Sequence, residues 1–167
     1  MPGRTLGALL LGGLLAIAGG ARAEEWAAIA PGESTMGVVE VRFGPASRTV
    51  AETIEGYNAA QWIYEGARAP AGMKRMLVEF GLLTPAGYRR EVVRALRLEP
   101  KPGIFTRALV LAGWGRPSGF TPEGHVPPSF FYTSGLVVSF DKAGEDAELL
   151  IFTPPQLAAP GPGERRP

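Results

Sequence analysis

Cysteine is absent from the 167 residues. That excludes disulfide staples, thiolate metal ligands and lipid attachment at an N-terminal cysteine, so stability must come from an apolar core. Histidine is nearly absent: His125, between Gly124 and Val126, is the only one. One His without Cys gives no zinc set. No Gly-x-Ser-x-Gly accompanies it, so a nucleophilic triad has no sequence support. The 23 glycines build neither a Gly-x-x-x-x-Gly-Lys phosphate loop nor a Gly-x-Gly-x-x-Gly turn. An excess of one charge is also missing. Loss of Arg4 and Arg22 with an N-terminal leader takes the 17 basic residues to 15, against 16 acids, and nucleic acid is not an expected partner. Residues 68–107 do concentrate nine bases against three acids, whereas residues 24–67 hold two bases and seven acids.

The N-terminus has the order of an export signal. Arg4 precedes an apolar run from Leu6 to Ala18, and Ala21-Arg22-Ala23 fits a small-x-small cleavage site. The run is rich in Gly and shorter than the about 20 residues of a membrane span. The pattern predicts a signal peptide over 1–23, cleavage after Ala23, and a periplasmic or secreted chain that is not a lipoprotein. The roughly 140 residues that remain suffice for one domain or two small units sharing a core.

A short phrase recurs 71 residues on. Pro31-Gly32-Glu33-Ser34-Thr35 leads into an apolar run ending at Gly44-Pro45. Pro102-Gly103-Ile104-Phe105-Thr106 leads into another ending at Gly115-Arg116-Pro117. Each spans 13 residues from first Pro to stopping Gly. Ser34 or Thr35, and Thr106, suit helix N-caps, and the glycines suit C-caps. Two short helices are expected, with a further short helix over Arg48 to Gly56.

Strand signals follow each helix. Trp62-Ile63-Tyr64, Lys74 to Leu83 and Tyr88 to Leu98 read as strands, the last two joined by the Thr84-Pro85-Ala86-Gly87 turn. A helix over Arg89 to Leu98 is the competing reading, because Val92, Val93 and Leu96 share one helical side. In the second half, Ser129-Phe130-Phe131-Tyr132, Gly135 to Asp141 and Ala147 to Thr153 repeat that order. Residues 116–128 read as a long loop. The expected fold is α+β: two tandem units, 24–98 and 99–153, each of one or two short helices on an antiparallel sheet. Pro- and Gly-rich residues 154–167 read as a disordered tail.

These start and stop signals, an aromatic-x-Tyr strand and a Val-x-Phe strand resemble the SmpA/OmlA domain family of the outer-membrane assembly factor BamE. The β-lactamase inhibitor proteins, with two tandem copies of a similar shape, are a related comparison. The matching residues are Pro31, Gly32, Gly44, Pro45, Trp62, Tyr64, Val78 and Phe80, then Pro102, Gly103, Gly115, Pro117, Tyr132, Val138 and Phe140. The resemblance implies a fold and a cell-envelope setting.

No residues are nominated as catalytic, cofactor-binding or metal-binding. Glu145, Asp146 and Glu148 could hold a weak cation, but a solvated hairpin end suits them better. Most aromatics suit a core. Phe130-Phe131-Tyr132 cannot all do so, since consecutive strand residues face opposite ways. Tyr57, Trp62, Tyr64, Phe131 and Tyr132 are therefore the candidate protein-binding surface. Arg89, Arg90, Arg94 and Arg97 are a candidate basic patch for anionic lipid headgroups or an acidic partner. The leading expectation is a non-enzymatic adaptor for another periplasmic or envelope protein. A lipid-contacting structural factor and a small ligand-binding protein or hydrolase are the alternatives.

Overall fold

The computed structural model describes residues 24–121 and 127–155. The predicted signal peptide, His125 and all but Pro154 and Pro155 of the predicted tail lie outside the described residues. In chain order the elements are α1 (Met36–Phe43), β1 (Arg48–Ile54), β2 (Tyr57–Glu65), β3 (Met73–Thr84), β4 (Gly87–Pro100), α2 (Arg107–Trp114), β5 (Gly119–Phe120), β6 (Ser129–Phe131), β7 (Leu136–Phe140) and β8 (Ala147–Phe152), with one turn of 3-10 helix at Gly66–Arg68.

All eight strands form one antiparallel sheet in the order β1-β2-β3-β4-β8-β7-β6-β5. This corrects the expected two tandem α+β units. The order of a helix followed by four strands does occur twice. Yet β4 bonds to β3 on one side and to β8 on the other, with Leu96, Arg97 and Leu98 opposite Phe152, Ile151 and Leu150. The halves therefore share a hydrogen-bonded seam. They also share one core, in which Val39, Tyr64, Phe80 and Leu96 cluster with Val110, Phe130, Phe140 and Phe152. A four-stranded half with one two-turn helix has little apolar surface to bury by itself, and fusion supplies the rest.

The repeated phrases start both helices, as expected, and tie each start to the sheet. Thr35 bridges Val92 of β4, while Thr106 bridges Asp146 just before β8. Only Thr106 caps with its side chain, its Oγ1 accepting from the Leu109 N–H at 3.3 Å. At the other end Gly44 and Gly115 take φ of 72° and 74°. Their carbonyls accept the Tyr64 and Tyr132 hydroxyls at 3.1 and 3.2 Å. A phenol from β2 in the first half, and from just past β6 in the second, thus occupies an otherwise open helix-end carbonyl.

Two local expectations change. Arg48 to Gly56 is not a helix: Arg48–Ile54 is β1, and Glu55-Gly56 (φ 50° and 84°) is the turn into β2. The β-branched Thr49, Val50, Thr53 and Ile54 favour this outcome, and Gly56 supplies the turn. The loop over 116–128 contains the short strand β5. Tyr88 to Leu98 lies within β4, so the helix alternative fails.

Candidate site on the helix-free sheet face

Register assigns side chains to the two faces. Tyr64, Met76, Leu98, Leu150, Val138 and Phe130 oppose one another in sequence across six strands, and all are buried. This row lies on the helix side, where Val39 and Val110 are wholly buried. The adjacent row faces the other way: Ile63, Leu77, Arg97, Ile151, Val137 and Phe131. No helix among the described residues covers that face.

Its N-terminal half carries a charge lattice. Glu79, nearly buried, accepts from Arg94 Nη2 at 2.8 Å and Arg97 Nε at 2.7 Å. Arg94 also lies 3.8 Å from Glu52 on β1, three strands away. In a sheet three strand spacings are roughly 14 Å, so these side chains lie flat over β2 and β3. The residues beneath are small: Ala59, Gly81 and Ala95, all buried. Arg75 pairs with Glu99, and that hydrogen bond is the main reason its already high pKa is raised further. Both charges of each pair keep a partner, so this half of the face is close to neutral.

The C-terminal half is apolar. Phe131 is 44% exposed on this face, and Phe120, opposite the helix-side Phe130 in register, is 70% exposed at the edge strand. With Gly119, Val137, Gly135 and Thr153 they line an open groove of about 540 Å³. Gly135 (φ 100°) is required here, because a Cβ would collide with the Thr153 carbonyl oxygen. The contact is tight since Thr153 bonds back to the Gly135 carbonyl through its N–H at 2.9 Å and its hydroxyl at 3.0 Å. A second apolar groove, of about 650 Å³, lies on the helix side between Ala27–Ile29 and Val38 and Val41 of α1.

The nominated aromatics are not all brought together. Tyr64 and Tyr132 are buried on the helix side. Burial, aided by Glu40, pushes the Tyr64 phenol up to about 12, and burial with Glu24 raises that of Tyr132. Trp62 is half-buried, edge-on to Phe80. Tyr57 is on the helix-free face but at the β1–β2 turn, stacked on Tyr88 at 4.4 Å. Five strand steps separate β2 from Phe131, about 24 Å at ordinary spacing. Of the five, Phe131 and Tyr132 line the groove, and of these two only Phe131 is exposed. The basic residues also divide. Arg94 and Arg97 are spent on Glu79, while Arg89 and Arg90 are exposed at consecutive positions of β4.

Sequence reading missed Phe120, Val137, Glu52 and Glu79. The alternation of β7 was the available signal for Val137: Leu136, Val138 and Phe140 are buried and Val137 and Ser139 are not. Of the three acids near the β7–β8 turn, Asp146 is tied into the fold through its carboxylate and Glu145 through its main chain. Asp141 Oδ1 accepts from Glu145 N at 2.9 Å and Asp146 N at 3.4 Å, and Asp146 Oδ1 accepts from Gly103 N at 3.2 Å. Among the described residues no cluster of His, Cys, Asp and Glu is arranged to hold a metal, and no helix is long and apolar enough to cross a membrane.

The architecture is therefore that of an antiparallel sheet with helices on one side and an uncovered, partly apolar face on the other. No protein-family model matches the chain, and no curated protein matches it. The resemblance to the SmpA/OmlA domain gains no support from those comparisons. Among solved structures, a DUF4309 family protein (YjgB) from Bacillus subtilis is similar at 12% identity and a TM-score of 0.45, over 76% of this chain and 82% of that one.

Proposed function

We propose that this chain is an exported, non-enzymatic protein-binding module of the cell envelope, which engages its partner through the helix-free sheet face at the Phe120–Phe131 groove. The observation that carries this reading is the exposure of Phe131 on a face lacking a covering helix, in an apolar groove that Phe120 of the edge strand also lines. Aromatic anchors in an open apolar depression supply most of the binding energy at interfaces. The ion-paired N-terminal half then acts as a polar surround, contributing orientation more than affinity. Export rests on the signal pattern in residues 1–23.

The test is affinity capture from envelope extract with the wild-type chain, Phe131→Asp, and Val41→Asp as a control on the helix side. A partner recovered by wild type and Val41→Asp, and lost with Phe131→Asp, supports the reading. Equal recovery by all three would remove it.

A further inference from the structure

The two edges of the sheet differ in length. β5 has two residues, whereas β1 has seven, from Arg48 to Ile54. No strand lies beyond β1 among the described residues. Which main-chain groups are free follows from the turn. Ile54 and Tyr57 flank the two-residue Glu55-Gly56 connection, both at positive φ. That turn geometry makes the flanking residues a hydrogen-bonded pair. Antiparallel bonding alternates, so Arg48, Val50, Glu52 and Ile54 bond to β2, while Thr49, Ala51 and Thr53 point their N–H and C=O groups outward.

The usual protections of an edge are missing. No proline or lysine interrupts β1, and its register with β2 runs from Arg48 to Ile54 without a shift. Its two charges, Arg48 and Glu52, are opposite in sign and lie on the helix-free face. Arg48 is only loosely held, 4.0 Å from Glu65, with both side chains well exposed, an arrangement worth little in water.

We propose that β1 pairs with β1 of a second copy of this chain, antiparallel about a two-fold axis at Val50, joining the two sheets into one. Thr49 and Ala51 then exchange hydrogen bonds across the axis. Arg48 faces the partner's Glu52, and symmetry makes that contact twice. Charge selects this register: an axis at Glu52 would set acid against acid, and one at Ala51 would set Glu52 against Val50. The Phe131 groove lies toward the opposite edge and stays open, so this inference does not depend on the function proposed above.

Sedimentation of the chain purified after export tests it. The expected result is a concentration-dependent dimer. Ala51→Pro removes an outward N–H that β2 does not use, and is expected to give a monomer with an unchanged circular dichroism spectrum. Arg48→Glu and Glu52→Arg should each weaken self-association about tenfold or more, by placing like charges opposite. An equimolar mixture of these two variants should regain it, because each contact then has one acid and one base. A wild-type monomer at every concentration, or a dimer indifferent to Ala51→Pro, would overturn the proposal. If Ala51→Pro does not fold, the mixture decides: no recovery on mixing also overturns it.

Discussion

The two halves of the sheet solve one structural problem alike and another differently. On the helix side, Tyr64 reaches the Gly44 carbonyl and Tyr132 reaches the Gly115 carbonyl, at nearly equal distances. On the helix-free side, the first half lays Arg94, Arg97, Glu52 and Glu79 over small residues, and the second leaves Phe131 bare. The contrast teaches where selection of side chains is dictated by folding. Helix-end carbonyls and buried core positions need the same partners in both halves. The uncovered face needs only solubility, and the second half departs from that by exposing Phe131.

The largest expected effect breaks the second half at its tightest point. Gly135→Ala pushes a methyl into backbone that cannot swing aside, and should cost about 3 kcal/mol in chemical denaturation. Its first-half counterpart in tightness, Gly81→Ala, meets the Tyr88 hydroxyl instead. That ring can rotate away, losing its bond to the Asn58 carbonyl, so the expected loss is smaller, about 2 kcal/mol. Equal losses would show that side-chain relief is unavailable at Gly81.

Removing the lattice anchor comes next. Glu79→Ala leaves Arg94 and Arg97 to water and Glu52, and should cost about 2 kcal/mol, less at high salt. The shared tyrosine clamps sharpen the likeness between halves. Tyr64→Phe and Tyr132→Phe should each cost about 1 kcal/mol and add in the double variant, since the sites share no partner. Alkaline titration offers a second readout for Tyr64. Its phenol ionises near 12 in the fold, against its ordinary 10. Stability from this group is therefore full below pH 10 and declines as pH rises toward 12, by about 1.4 kcal/mol per unit. Tyr64→Phe should flatten that decline.

The smallest stability effect is expected at the groove. Phe131→Ala should change unfolding free energy by about 0.5 kcal/mol or less, because half the ring is already in water. A loss as large as that at Glu79 would make Phe131 a folding residue and erase the contrast.

Legibility in the sequence followed the range of the interactions. Caps and stops are local, so both helices and the Thr84–Gly87 turn could be read from their own residues. The seam between Leu96–Leu98 and Leu150–Phe152 joins segments more than fifty residues apart, and nothing local announces it; hence two units were expected where one sheet exists. Side-chain alternation within a strand is local too, and it rightly separated Phe131 from its neighbours. Which face remained uncovered depended on where the helices packed. Tyr64 and Tyr132 were therefore placed on a binding surface when their hydroxyls close helix ends.

The most direct test of the central claim is photo-cross-linking in intact cells, with a photoreactive residue replacing Phe131 or, separately, Val41, which is 91% exposed on α1. The account predicts a discrete adduct with one envelope protein from the probe at position 131 and none from the probe at 41. The same adduct from 41, with none from 131, would place the partner on the helix side and contradict the account.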